Sequence, residues 1–243
     1  MSGGKIIPEL SDTRISVILP AAGSGSRMGA DRPKQWLPLG GGTVLSHTFR
    51  FFDALECVKQ IVVVLDSDSL SNALCREQLQ SAFDTRVDLA PGGDTRQESV
   101  YEGLIHVDES ADIVAIHDAA RPFPPFESVA EAFRQAAGGR GAVLACPVVE
   151  TIKRVAPSGE VIETLERSTL WTIQTPQVFP REPLIKAYRV KHEALSLFTD
   201  DAAVFEASGG QVQVVESTPD NFKITHAQDL RRAQQILSEK GEQ

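Results

Sequence analysis

Residues 15–35, ISVILPAAGSGSRMGADRPKQ, constrain the fold more than any other stretch of the chain. Ile15, Val17, Ile18 and Leu19 form a short, nearly continuous apolar run, the pattern of a strand buried on both faces of a parallel sheet. Pro20 lacks a backbone N–H and closes the strand. Three glycines (Gly23, Gly25 and Gly29) and two cations (Arg27 and Lys34) follow. Glycine lets the backbone turn tightly and approach a ligand, so that N–H groups converge on an anion. The stretch reads as a phosphate-holding loop after the first strand.

Spacing excludes two other glycine motifs. Gly23-x-Gly25-x-x-x-Gly29 is one residue too long for the dinucleotide fingerprint, which needs glycine where Met28 stands. A G-x-x-x-x-G-K-[ST] pattern is also missing, because Lys34 lies between Pro33 and Gln35. Charge strengthens the phosphate reading. The 243 residues carry a formal net charge of −9, yet the carboxylate in this loop is Asp31 alone. Such an acidic chain offers no broad surface to nucleic acid or an anionic membrane, so an anionic substrate needs a local basic pocket. No apolar run reaches the ~18 residues of a membrane span, and residues 1–14 hold no signal-peptide core. Cys57, Cys75 and Cys146 form no C-x-x-C pair, so reduced thiols and a cytoplasmic location are expected.

Beyond the loop the pattern alternates. Thr43 caps a predicted helix carrying Val44, Leu45, Thr48, Phe49, Phe52 and Leu55. Strands are expected at 60–65, 87–90, 113–117 and 142–146, with helices to about residue 83, after residue 99 and over 126–137. This is an α/β chain with a mostly parallel sheet covered on both faces. Loops 21–34, 91–99 and 118–122 each follow a strand and so open on the carboxyl edge, where open α/β sheets bind ligands. Residues 147–175 break the alternation with two β-rich runs around Ala156-Pro157-Ser158-Gly159, a turn signal. They read as a protruding β-arm whose apolar residues pack on a second copy of the chain, the alternative being a hairpin folded back on its own domain. A helix at 182–194, a strand at 212–216 and a terminal helix complete one domain over 13–239, with residues 1–12 expected to be a flexible tail.

The assembled segments resemble the 2-C-methyl-D-erythritol 4-phosphate cytidylyltransferase family. They are PAAGSGSRMG (20–29), PKQ (33–35), GGDTRQES (92–99), HDAARP (117–122), ETIKR (150–154), ERSTLWTIQTPQ (166–177), TDDA (199–202) and DNFKIT (220–225). The resemblance implies a Rossmann-like doubly wound sheet and a homodimer formed through the arm. It also implies cytidylyl transfer from CTP to methylerythritol phosphate with release of pyrophosphate. Arg27, Lys34, Arg167 and Lys223 fall on its catalytic positions. Ala21, Ala22, Gly23, Gly25, Gly93, Asp94, Ser99, Asp118 and Ala119 fall, with Arg27, Lys34 and Lys223, on its CTP-binding positions. Thr151, Arg167 and Thr199 fall on those for the second substrate, and in a dimer Arg167 has two places to act, its own site or the partner's. Beside a triphosphate, Asp118 is a candidate ligand for Mg²⁺ or a similar divalent cation. Asp200 and Asp201 would repel a phosphate and are assigned to capping or sugar-hydroxyl contacts. Relatives fused to a zinc-dependent cyclase exist, and that second activity is not expected from five scattered histidines. The rival within the class is ribitol-5-phosphate cytidylyltransferase, disfavoured by Ala22, Ala120 and the segment ERSTLW. Rivals outside it are a dinucleotide-dependent oxidoreductase, with Asp66 as its ribose ligand, and a non-catalytic nucleotide-binding protein.

Overall fold

The apolar run at residues 15–20 forms β1 (Ile15–Pro20) inside a seven-stranded sheet. The structure is a computed structural model that describes residues 4–23, 33–72, 79, 83–239 and 241. Two short strands, β2 (Pro38–Leu39) and β3 (Gly42–Thr43), make a ribbon after the first loop. The large sheet continues through β4 (Val58–Leu65), β5 (Arg86–Pro91), β6 (Ile113–Ile116) and β7 (Gly141–Pro147). A separate hairpin pairs β8 (Lys153–Val155) with β9 (Val161–Thr164), and β10 (Trp171–Pro180) and β11 (Val212–Glu216) complete the sheet. Its spatial order is β11-β7-β10-β6-β1-β4-β5.

Seven helices are described: α1 (Val44–Asp53), α2 (Ser67–Ser71), α3 (Arg96–Ile105), α4 (Phe126–Ala137), α5 (Arg181–Val190), α6 (Asp201–Glu206) and α7 (Ala227–Glu239). Side chains alternate across β1, so the sheet has two cores. Ile15, Val17 and Leu19 share one with Phe49 and Phe52 of α1 and Phe133 of α4. Ile18 faces the other, with Val100 and Leu104 of α3 and Tyr188 of α5. Gly103 lets α3 lie close on the sheet, because a Cβ there would stand 2.7 Å from Ile18 Cγ2. Thr43 caps α1 as expected, its Oγ1 accepting from Ser46 N at 3.2 Å.

The strand order includes one antiparallel insertion, and three expectations, those for the arm, the tail and the 182–194 helix, are corrected. β7 does not sit beside β6, because β10 enters antiparallel between them, from Gln177↔Ile116 on one side to Val178↔Ala142 on the other. The chain leaves the sheet after β7 and returns reversed, so the intervening strand cannot be parallel. For the same reason the arm is shorter than 147–175, since Trp171 and Thr172 already pair with Pro147 and Cys146. Its turn is where the sequence puts it, with Gly159 at φ 89°. Residues 4–12 of the expected tail are anchored to the fold at a few points, although most of them are exposed. Lys5 bridges to Leu55, and Ile7 and Leu10 join the core under α1 and α4. The long helix expected at 182–194 stops at Val190 and tightens into a 3₁₀ turn, His192–Leu197. The helix expected toward residue 83 falls partly on residues 73–78 and 80–82, outside the described residues.

Because Leu10 is buried, Leu10→Ala is expected to cost about 2–5 kcal/mol in urea unfolding. A loose tail would leave the midpoint unmoved.

Candidate active site

Three strand ends bring the loops together. Ala21 N donates to Val64 O at 2.8 Å and Gly92 N to Leu65 O at 2.8 Å, so the loops after β1 and β5 are both tied to the end of β4. Gly92 permits this closeness, since a Cβ there would collide with the Cβ of Ala22. Gln35 reaches back from the PKQ segment, its Nε2 donating to Ala21 O at 2.5 Å. Thr95 starts α3 with a reciprocal cap, Oγ1 accepting from Glu98 N while Thr95 N donates to Glu98 Oε2. Ser99 steadies the glycine loop by accepting from Gly93 N at 3.1 Å. After β6, His117 N donates to Ile18 O and Asp118 N to Thr175 Oγ1 of β10.

These loops enclose a cavity of about 490 Å³. Ala21, Ala22, Gly23, Lys34, Gly93, Asp94, Ser99, Asp118, Ala119 and Lys223 line it, each of them named from the sequence. Gly25 and Arg27 lie outside the described residues. Thr151, Arg167 and Thr199 do not line the cavity within the single chain. Thr151 and Arg167 lie exposed on or near the arm, and Arg167 Nη1 donates to Val149 O at 2.8 Å. Thr199 is exposed just before α6.

Asp118 is the electrostatic centre. Its Oδ2 lies 3.0 Å from Lys223 Nζ and 3.2 Å from Arg121 Nε, and its Oδ1 lies 3.3 Å from Arg96 Nε. Burial pushes this carboxyl up, but Lys223, Arg96 and Arg121 outweigh it and hold Asp118 well below the usual carboxylate range. The pairing changes the reading of Asp118 as a metal ligand. A divalent ion at its ordinary distance would stand against three cations already on those oxygens. Among the described residues, no group of three or more His, Cys, Asp or Glu converges to hold a metal. Asp118 is thus the counter-charge on which Lys223, Arg121 and Arg96 converge, its oxygens already engaged by cations.

A scan of family models matches residues 15–239 to 2-C-methyl-D-erythritol 4-phosphate cytidylyltransferase. The chain belongs to this family. A member from Symbiobacterium thermophilum is 40% identical over 242 residues, covering 100% of this chain and 98% of the relative. One from Desulforamulus reducens is 40% identical over 226 residues, 92% of this chain and 95% of the relative. Among solved structures, the 4-diphosphocytidyl-2C-methyl-D-erythritol synthase of Anaerococcus prevotii superposes with TM-score 0.81 at 27% identity, covering 93% of this chain and 99% of that one. The family assignment removes the oxidoreductase reading, and Asp66 is accounted for locally: it caps α2, accepting from Ser69 N at 2.9 Å.

Two features of this family member's cavity escape sequence reading. Arg96 lines it and joins Asp118 to Asp201, two residues far apart in the chain. Its signal is a cation at the first position of a helix that opens from a glycine loop. Asp200 does cap α6, accepting from Ala203 N at 2.9 Å, but Asp201 is fully buried and grips Arg96. His117 is structural. Nε2–H donates to Arg121 O at 2.9 Å, and Nδ1 accepts from the Thr175 hydroxyl at 3.2 Å, which makes the ring neutral. Burial pushes His117 from the ordinary 6.5 down to about 4.

The unfolded chain protonates this imidazole below pH 6.5 while the folded one resists down to about 4. The stabilisation is complete above pH 6.5 and is lost as pH falls toward 4, on the order of 3 kcal/mol in all. Melting curves should therefore show Tm falling more steeply through this window for the native chain than for His117→Gln. Parallel slopes would mean that the ring is not held neutral.

Proposed function

We propose that this chain transfers the cytidylyl group of CTP to 2-C-methyl-D-erythritol 4-phosphate. The products are 4-diphosphocytidyl-2-C-methyl-D-erythritol and pyrophosphate. The observation that carries the reading is the convergence of Lys34, Arg96 and Lys223 with two glycine-bearing loops on one strand-end cavity, in a member of this family. An oxygen of the acceptor's phosphate attacks the α-phosphorus in line, and the bond to the pyrophosphate oxygen breaks. A phosphate monoester is already ionised near neutral pH, so the protein positions and neutralises and need not abstract a proton. His117 suits that economy: it is fully buried, bonded to Arg121 O and the Thr175 hydroxyl, and does not line the cavity.

In this reading Arg27, Lys34 and Lys223 brace the phosphates, and Ala21, Ala22, Gly23 and Gly25 offer backbone groups to the nucleotide. Gly93, Asp94 and Ser99 read the cytosine and ribose, while Ala119 packs beside Asp118. Mg²⁺ or a similar divalent cation belongs with the triphosphate's own oxygens. Cys57 and Cys146 are free, buried thiols, in keeping with a reducing cytoplasm. No helix among the described residues is long and apolar enough to cross a membrane.

Thr151, Arg167 and Thr199 hold the acceptor in this proposal, and the arm supplies the first two across a homodimer. The arm's exposure supports it. Val149 is 76% exposed and Ile162 60%, and Val155, Val161 and Ile173 are also exposed on or beside the hairpin. Lys153 and Arg154 are occupied within the hairpin, by Thr164 and Glu163.

Pyrophosphate release from CTP is expected to proceed at least about tenfold faster with methylerythritol phosphate than with ribitol phosphate, since misfit at a polar site is penalised strongly. Equal rates would favour the ribitol enzyme. Chains carrying Lys34→Ala and chains carrying Arg167→Ala should each turn over about 10²–10³-fold more slowly. Mixed as heterodimers they should recover activity, because one site then keeps both residues. No recovery in confirmed heterodimers would make each site self-contained.

A further inference from the structure

A line of alternating charge runs from the second core to the cavity. Tyr188, fully buried, donates its hydroxyl to Asp201 Oδ1 at 2.6 Å. Arg96 grips the same carboxylate through Nη1 at 3.0 Å and Nη2 at 2.8 Å. Its third nitrogen, Nε, lies 3.3 Å from Asp118 Oδ1. The other oxygen of Asp118 holds Lys223 Nζ at 3.0 Å. Arg96, Asp118 and Lys223 line the cavity, whereas Asp201 and Tyr188 do not.

We propose that Asp201 is a positioning residue for the transfer, acting through Arg96 and Asp118 to hold the Lys223 ammonium at the reacting phosphates. The inference rests on the assignment of Lys223 made above. An ammonium on a four-carbon stem adopts many rotamers unless a counter-charge fixes it. Asp118 is that counter-charge, but a guanidinium fork prefers to take a carboxylate by both oxygens. Were Arg96 left without Asp201, its fork would turn on Asp118 and draw it from Lys223. Asp201 fills the fork, leaves Arg96 only Nε for Asp118, and so keeps Oδ2 for Arg121 and Lys223. The bidentate pair also ties the start of α3 to the start of α6, across 105 residues of chain. That staple alone would be structural, so the test must separate the two roles.

The separating measurement is a kinetic double-mutant cycle on the full chain, with melting curves confirming that each variant is folded. Asp201→Asn is expected to lower kcat by about tenfold to a hundredfold while KM for CTP stays within about twofold, the mark of a misplaced rather than an absent group. In a Lys223→Ala chain the same change should cost less than about twofold more, because the group it positions is gone. An equal loss in both backgrounds, or no loss in the native one, overturns the proposal. Should Asp201→Asn fail to fold, Tyr188→Phe removes one hydroxyl from the same carboxylate. A smaller kcat loss that vanishes in the Lys223→Ala background supports the proposal, and one that persists there overturns it. Near-normal turnover of the single Lys223→Ala variant overturns the Lys223 assignment itself, a result distinct from an additive cycle.

Discussion

An acidic protein that brings two phosphate-bearing molecules together has to build positive potential in one place, and like charges packed that closely repel. The ring around Asp118 resolves the conflict. One buried carboxylate takes Lys223, Arg121 and Arg96 on its two oxygens, and a second, Asp201, takes the remaining face of Arg96. Three cations against two carboxylates leave the cluster net positive, while no member is left as an isolated buried charge. The arrangement is costly to interrupt, since removing one partner of a buried pair typically costs about 3–5 kcal/mol. Arg96 shows the balance: burial pulls its pKa down, and Asp201 and Asp118 more than restore it.

The strand that interrupts the parallel order is what makes this ring possible. β10 runs antiparallel beside β6, so its side chains meet the end of β6 instead of continuing past it. Thr175 accepts from Asp118 N and contacts His117 Nδ1. Gln174 Oε1 and Thr175 O both accept from Asn221 Nδ2, fixing the segment that carries Lys223. Gln177 accepts from Ala202 N and donates to Asp200 Oδ2, fixing the start of α6. One strand thus positions the Asp118 backbone, the Lys223 segment and the Asp201 helix. Arg121 adds a further tie, its Nη1 donating to Asn221 O at 2.8 Å.

What could be read from the sequence follows the range of the interactions. β1, α1, α4 and β11 are set by local periodicity and caps, and they stand close to where residues 15–20, 43–55, 126–137 and 212–216 put them. The cavity was legible because topology sends strand-end loops to one edge, whatever the details of packing. β10 was not, because its place between β6 and β7 depends on which strand the returning chain meets, and nothing within residues 171–180 encodes that. Residues 4–12 misled for a similar reason. Ile7 and Leu10 are too few to show a period, and their burial depends on a gap between helices that lie elsewhere in the chain. Asp201 reads as one acid of a Thr-Asp-Asp run, and only its partner Arg96, on another helix, reveals a buried ion pair.

The arm poses the opposite problem, an element with very little to hold it. Its hairpin has strands of three and four residues, all of them exposed, and a two-stranded ribbon of that length is marginal in water. Beyond its short backbone ladder and turn, the single chain adds an Arg154–Glu163 ion pair at 2.9 Å, a Lys153–Thr164 hydrogen bond and the Arg167 contact to Val149 O. Exposed ion pairs contribute little, typically no more than about 1 kcal/mol. The base is firmer, because Trp171 and Thr172 are paired with the end of β7. The base is therefore held more firmly than the tip, whose aliphatic side chains Val155, Val161 and Ile162 stand exposed in the single chain. Thr151 and Arg167, on or beside this element, stand exposed and away from the cavity lining in the single chain, so the element that carries them is also the one that this chain holds least.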